Sequence, residues 1–171
     1  MLVIAMATGF LFMVSSCQKE NSLQSDANTS QDALKASGPS ASGQAGIMVN
    51  DRLQNFAFHA KQDKNGNVSG SWQSKSSGQD IKTHGTITCL TIDPDGKTAA
   101  MGGVITQINS DDPFFSQFEV GDPVWFQVQD NREGSNGDPD GFSDYFLDFE
   151  FCEVIPDFFT PIVTGNIQVK P

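Results

Sequence analysis

Apolar and polar positions alternate along much of the chain after residue 50. In residues 53–60 the alternation places Phe56 and Phe58 on one face, which is typical of a half-buried β-strand. A second run of this kind, Val68–Ser74, follows a turn that contains Asn65-Gly66. Asn-Gly is the strongest short-range signal for a β-hairpin. The sequence therefore predicts two antiparallel strands joined by a tight turn.

Further β-rich runs follow, and turn-forming residues separate them. Thr83–Ile92 ends at Asp93-Pro94-Asp95-Gly96, where proline restricts φ and glycine accepts a positive φ. No window shows a convincing helical period of about 3.6 residues. The remaining predicted strands are Thr98–Ile108, Val124–Gln129, Phe142–Cys152 and Ile162–Val169.

These strands predict an all-β fold. We expect an antiparallel meander of about seven to eight strands that is either barrel-like or a β-sandwich. Glycines inside the predicted strands suit strongly bent strands and favour the barrel-like form, with a bulge or sharp bend at the Gly102-Gly103 pair. These glycines are Gly70, Gly85, Gly102, Gly103 and Gly165.

Several short motifs are spread over the predicted domain. They are His84-Gly85-Thr86-Ile87-Thr88-Cys89-Leu90, Gly102-Gly103-Val104, Asp130-Asn131 before an acidic loop, and Gly165-Asn166-Ile167-Gln168-Val169. Through them, the body from Leu53 to Val169 resembles a small secreted β-domain of unknown function that recurs in bacterial surface proteins. The motifs are structural, so the resemblance implies a β fold and brings no catalytic residues.

The N-terminus is an uncharged apolar run, Met1–Val14, that no Lys or Arg precedes. A membrane-spanning helix needs about 20 apolar residues, so this run predicts a signal peptide and not a spanning helix.

The end of that run, Val14-Ser15-Ser16-Cys17, resembles the lipobox of bacterial lipoproteins. The resemblance implies a signal peptide of residues 1–16 and acyl chains on Cys17, which anchor the protein to the membrane. The start Cys17-Gln18-Lys19-Glu20 is similar to signals that send some Gram-negative lipoproteins to the outer face of the outer membrane. We therefore expect an outer-membrane lipoprotein of the bacterial cell envelope, periplasmic or surface-exposed. The alternative is an ordinary secretory signal cleaved after a small residue.

Residues 17–46 are rich in Ser, Ala, Gly, Gln, Asn and Asp. Such a stretch buries too little apolar surface to offset the entropy of ordering it, so it predicts a flexible, disordered tether. The folded part is then one β-domain of residues 47–171, which is a common domain size.

Composition narrows the classes of function. The 171 residues include 10 Lys and Arg against 21 Asp and Glu, a net charge of −11. This charge argues against nucleic acid as a partner, because a phosphate-binding surface needs clustered basic residues. With 18% charged residues, 16 Gly and 8 Pro, the chain is also poorly suited to a helical bundle.

Cysteine and histidine are few. Two of the three cysteines, Cys89 and Cys152, lie in an exported domain, so we expect a disulfide between them; the alternative is two small buried apolar side chains. The two histidines, His59 and His84, lie inside predicted strands without the spacing of a zinc site. No nucleophile elbow, phosphate loop or dinucleotide fingerprint is present, so the sequence predicts no enzyme.

Acidic residues give one candidate for a cofactor. Oxygen side chains at alternating positions before Gly141 are similar to part of a calcium loop. The loop departs from the EF-hand because Pro139 lies within it and Leu147 takes the place of the bidentate Glu. The candidate calcium ligands are Asn136, Asp138, Asp140 and Asp144. The alternative is a solvated acidic loop.

The same acidic half leaves a small hydrolase as a weaker alternative. The carboxylates of Asp148 and Glu150 lie on one strand face, and glycoside hydrolysis needs two carboxyl groups about 5 to 9.5 Å apart. With so many acids in this half, the pair is unspecific.

Aromatic residues bear on the kind of ligand. The chain has 14 Phe but only two Trp and one Tyr, and Phe usually fills a core. The pairs Phe114-Phe115 and Phe158-Phe159 cannot both point inward in a strand, so one of each is exposed, covers a barrel end or lines an apolar pocket. We expect a lipid-anchored, non-enzymatic domain that binds a small apolar ligand or a protein partner. The alternatives are a structural surface module without a ligand and a small secreted hydrolase.

Overall fold

The structure is a computed structural model that describes residues 38–76, 81–131, 137–148, 151–156 and 158–171. These residues belong to one compact unit and include a turn of 3-10 helix at Phe115–Gln117. The strands are β1 (Ser40–Val49), β2 (Arg52–Gln62), β3 (Val68–Ser76), β4 (Lys82–Ile92), β5 (Thr98–Asn109), β6 (Pro123–Gln129), β7 (Gly141–Leu147), β8 (Thr160–Pro161) and β9 (Thr164–Lys170).

All nine strands pair antiparallel in one curled, half-barrel sheet, which confirms the predicted all-β fold. The order is β8-β7-β6-β5-β4-β3-β2-β1-β9. Strands β1 to β8 are thus each beside the next, and β9 returns to pair with β1. The two predicted turns are present, with Gly66 at φ 85° and Gly96 at φ 67°. Glycine is favoured at both because side chains with a Cβ are strained there.

The first strand corrects the predicted boundary of the tether. Residues 40–46, assigned to the tether by composition, form most of β1. Ala41 and Ala45 are each only 1% exposed, and a Cβ on Gly43 would lie 2.9 Å from the Cα of Ile167 in β9. Small residues are needed here because the neighbouring strand passes close by, and the resulting composition is similar to that of a linker. The rest of the predicted tether, before residue 38, lies outside the described residues.

The inner face of the sheet holds an aromatic core centred on Phe56. Its ring centroid lies 4.7 Å from that of Phe142, 4.8 Å from Phe126 and 5.7 Å from Trp72. Phe58, which the alternation placed beside Phe56, is 5% exposed. The predicted buried face of β2 is therefore confirmed.

A β-bulge changes the course of β7. The pairing of β6 with β7 shifts register between Phe126 and Val128, and Asp144 adopts φ 66° in the facing strand. The shift changes which side chains face inward, so that Phe142 and Tyr145 both contact Phe56. The predicted strand Phe142–Cys152 is too long, because β7 ends at Leu147 and the described residues Phe151 and Cys152 belong to no strand.

The described residues 151–156 and 158–159, between β7 and β8, lie over the outer face of β6, and we call them the covering segment. The side-chain amide of Gln127 donates to the carbonyl of Ile155 at 2.8 Å and accepts from the Ile155 N–H at 2.8 Å. The ring of Phe151 lies 5.6 Å from that of Trp125. Strand β6 is thus buried on both faces, and Gln127 is fully buried with its polar atoms satisfied.

Gly102 of β5 lies directly beneath the covering segment. A register irregularity in the β4–β5 pairing lies opposite Gly102 and Gly103, where a bulge was predicted. A Cβ on Gly102 would collide with the carbonyl oxygen of Phe151. Glycine at this position therefore allows the covering segment to approach the sheet.

Candidate functional site

The predicted disulfide is present. Cys89 in β4 and Cys152 in the covering segment are bonded, with their Cα atoms 6.2 Å apart. The bond holds the covering segment against the outer face of the sheet. Cys17, the predicted lipidation site, lies outside the described residues.

Asp140, one of the residues proposed for calcium, and the nearby Asp130 both accept hydrogen bonds from backbone N–H groups. Asp140 accepts hydrogen bonds from the backbone N–H groups of Asn131, at 2.9 Å, and Ile167, at 2.8 Å. Asp130 accepts one from the Val169 N–H at 3.0 Å. Both carboxylates thus satisfy backbone donors of β9, whose other edge pairs with β1. Edge-strand donors that are left unpaired promote aggregation, so this is a structural role.

The described members of the calcium set are not brought together. Asp138 is exposed, Asp140 faces β9, and Asp144 lines a pocket at one end of the sheet. Among the described residues, no group of three or more His, Cys, Asp or Glu side chains could hold a metal ion. Asn136 lies outside them, as does Glu150 of the suggested carboxylate pair.

We call the cavity at this end of the sheet the end pocket. It has a volume of about 580 Å³. Its walls come from the β1–β2 turn, the facing ends of β3 and β4, the segment between β5 and β6, and the end of β7. The apolar lining residues are Val49, Ile81, Phe114, Phe115, Phe118, Tyr145, Phe146 and Leu147, and the polar ones are Asn50, Arg52, Gln54, Ser76, Asp112 and Asp144.

Three phenylalanines between β5 and β6 form one wall of the end pocket. The ring of Phe114 lies 5.3 Å from that of Phe115 and 5.4 Å from that of Phe118. The Phe114 N–H donates to Asp112 Oδ1 at 2.9 Å, which begins the turn that presents these rings. Phe114 is 58% exposed at the mouth. Two of the outcomes predicted for the Phe114-Phe115 pair are therefore observed: Phe114 is exposed, and both rings line a pocket.

The polar part of the end pocket centres on Asp144 and Tyr145. Asp144 Oδ1 accepts from the Tyr145 N–H at 2.8 Å, and burial raises the pKa of the Asp144 carboxyl above its ordinary value. Burial also raises the pKa of the Tyr145 phenol, and hydrogen bonding to Ser74 partly offsets this. Gln54 in turn donates to Ser74 Oγ at 3.2 Å. The pocket therefore combines apolar walls with a few hydrogen-bonding groups.

The substitution Asp144→Asn is expected to stabilise the protein at neutral pH. Because the folded-state pKa of Asp144 is raised, the ionised carboxyl disfavours folding. This cost is absent below the ordinary pKa of 3.8, grows as the pH rises above it, and is complete above the raised pKa. Asn also tolerates the positive φ and keeps the acceptor for Tyr145.

Urea unfolding at pH 7 and near pH 3.8 measures this effect, with Asp148→Asn as the matched control. Asp148 is exposed and has a similar φ of 64°, so the control makes the same charge change at a similar backbone geometry. We expect a gain at pH 7 for Asp144→Asn that shrinks in acid. An equal gain in both variants would show that reduced net charge, and not burial of Asp144, is the cause.

Comparison of the chain with known protein families, with curated proteins and with solved structures finds no match. In the part of the chain that the structure describes, no helix is long and apolar enough to span a membrane. What supports a function is therefore the geometry of the end pocket together with the N-terminal sequence.

Sequence reasoning found only part of the end pocket. The Phe114-Phe115 pair and the Phe-rich second half of the chain were singled out. Arg52, Gln54 and Ile81 were missed, because they come from strand ends far away in sequence. The sequence did contain a signal for Gln54. It lies two residues before Phe56, so the alternation of β2 places its side-chain amide on the inner face with Phe56 and Phe58.

Proposed function

We propose that the protein is a lipid-anchored protein of the bacterial cell envelope whose β-domain binds a small, largely apolar molecule in the end pocket. The observation that carries this proposal is the pocket itself. Its volume of about 580 Å³ lies within the usual range of about 300–1,000 Å³ for small-molecule sites. Its walls are mostly aromatic and aliphatic, as in such sites.

The polar lining suggests the shape of the ligand. Gln54 and Asp144 line the end pocket, and exposed Arg52 lies at its rim. A ligand with an apolar body would pack against the phenylalanines, and one polar end would form hydrogen bonds with the polar lining. A wholly polar ligand would leave the aromatic wall without a partner.

Two observations support the envelope location. The lipobox-like sequence ending at Cys17 provides the acylation site, and the Cys89–Cys152 disulfide is compatible with an oxidising, exported environment. Replacing Cys17 with Ala is expected to move the protein from the membrane fraction to the soluble fraction, whereas Ser22→Ala leaves it in place. Retention of the Cys17→Ala variant in the membrane fraction would contradict the lipid anchor.

Pocket binding is tested with N-phenyl-1-naphthylamine, a neutral dye that fluoresces in apolar surroundings. The full-length protein is expected to bind it saturably, and Phe114→Asp to weaken binding about tenfold, because it places a charge on the apolar wall. The matched control is Val120→Asp, since Val120 is 66% exposed and does not line the pocket.

Both positions are exposed, so neither variant is expected to unfold the domain. Saturable binding that only Phe114→Asp weakens supports the proposal. Absence of saturable binding, or equal weakening in both variants, would contradict it and favour the structural surface module without a ligand.

A further inference from the structure

Basic and acidic residues are segregated in this fold. Strands β9, β1, β2, β3, β4 and β5 are consecutive in the sheet, and they contain no Asp or Glu. They nevertheless contain five basic residues in a chain whose net charge is −11. These are Arg52, Lys61, Lys75, Lys82 and Lys170. Arg52 lies at the end pocket on the inner side, and the other four lie on the outer face, which is therefore far less negative than the protein as a whole.

Strand register aligns polar side chains across that face. One cross-strand row faces outward, on the opposite side of the sheet from Phe56, and four of its six members are amides. Amide side chains both donate and accept hydrogen bonds. This row is Asn166, Gln44, Ala57, Gln73, His84 and Gln107.

A second row lies beside the first, two residues further along each strand and so on the same face. It is Thr164, Gly46, Asn55, Lys75, Lys82 and Asn109. Together the rows span six strands, or five inter-strand spacings of about 4.8 Å, which is about 24 Å. That length suits an extended ligand running across the strands.

A groove of about 420 Å³ lies along the part of the two rows that β1, β2, β3 and β4 contribute, with Thr164 of β9 at one end, and we call it the outer groove. Ala57, in the middle of the first row, has a small side chain. Longer polar side chains surround it. Those that define the outer groove are Gln44, Asn55, Gln73, Lys75, Lys82 and His84.

The outer groove brings two like charges close together, those of Lys75 and Lys82. Lys75 and Lys82 are directly opposite each other in the β3–β4 pairing, and like charges at such positions are destabilising. Among the residues that the structure describes, no carboxylate forms an ion pair with either of them. A bound anion would relieve the repulsion between the two ammonium groups.

We propose that the outer groove binds an acidic polysaccharide, with Lys75 and Lys82 holding its carboxylates and the amide rows bonding its hydroxyls. Lys binds anionic oxygens as a point charge, and amides match the paired donors and acceptors of sugar hydroxyls. A protein partner fits less well, because interface cores favour Tyr, Trp and Met, which these rows lack. This site is separate from the end pocket and does not depend on it.

The probe is an oligogalacturonate, with neutral dextran oligomers and polyglutamate as comparison ligands. In calorimetry on the full-length protein, we expect oligogalacturonate to bind and dextran to bind at least tenfold more weakly. Added salt is expected to lower the affinity for oligogalacturonate, because it screens the attraction between the charges. Polyglutamate carries the carboxylates without the hydroxyls, so it is also expected to bind less tightly.

The variant Lys75→Gln/Lys82→Gln is expected to lose at least tenfold in oligogalacturonate affinity, and to melt at the same or a higher temperature because the repulsion is gone. Lys61→Gln/Lys64→Gln removes the same charge outside the outer groove and is expected to stay within twofold of the wild type. The proposal is overturned if oligogalacturonate does not bind, if polyglutamate binds as tightly, or if the two double variants behave alike.

Discussion

Replacing Phe56 with Ala is expected to lower the free energy of unfolding by about 3–5 kcal/mol, the usual range for removing a buried Phe. Phe56 is 1% exposed, and its ring contacts those of Phe126, Phe142, Trp72 and Tyr145. These partners come from β3, β6 and β7, so the cavity left by Ala is lined by elements that pairing holds in place. Such a site cannot collapse easily, and the cost of the cavity adds to the loss of apolar burial.

Urea unfolding of the wild type and the variant measures this difference. The matched control is Phe114→Ala, which removes the same atoms from a ring that is 58% exposed. We expect the control to cost less than about 1 kcal/mol, as surface substitutions usually do. Similar losses in the two variants would mean that Phe56 is not the centre of the core.

Removing the disulfide has the second large expected effect. The double variant Cys89→Ala/Cys152→Ala is expected to be less stable than the oxidised protein by about 2–4 kcal/mol. The bond spans a sequence separation of 63 residues, for which the loss of chain entropy in the unfolded state corresponds to about 4 kcal/mol. The covering segment also loses its covalent attachment to β4.

The wild type treated with a reductant is the control for this variant, and the two are expected to unfold at the same urea concentration. Because the covering segment packs Phe151 against Trp125, we also expect its detachment to change tryptophan fluorescence and to expose it to proteases. If the oxidised wild type were no more stable than the double variant, the bond would contribute nothing to the fold.

Local patterns were sufficient for most strands and turns. The alternation around Phe56 and Phe58 identified β2, and the Asn65-Gly66 and Asp95-Gly96 pairs identified the turns that follow β2 and β4. These signals depend only on neighbouring residues. The same local view failed at β1, where small residues that pack against β9 have the composition of a linker.

Burial of the outer face of β6 by the covering segment is not visible in local sequence patterns. Trp125 and Gln127 lie on the opposite face of β6 from Phe126, because side chains alternate along a strand. Both are buried, because residues up to 31 positions later in the chain lie over them, as the bonds from Gln127 to the carbonyls of Ile155 and Phe158 show. A buried glutamine is stable only where such distant partners satisfy it.

The candidate sites divide in the same way. The phenylalanines of the end pocket stood out in the sequence as a pair that cannot both point inward, but Arg52 and Gln54 joined them only through folding. The outer groove left a trace in the sequence as strands without acidic residues. Its two rows needed the register of six strands, which no single strand contains.

By itself, the sequence determined the all-β class and the positions of most strands and turns, because these follow from short-range periodicity and backbone preferences. It also gave the Cys89–Cys152 disulfide as an expectation, which the structure confirms. The tertiary structure decided the single curled sheet, the bulge at Asp144, the covering segment over β6 and the role of Asp130 and Asp140 at the edge of β9. Those features depend on contacts between residues far apart in the chain. They are stabilised by packing and hydrogen bonding between strands, and the order of residues along one strand does not reveal which strands will meet.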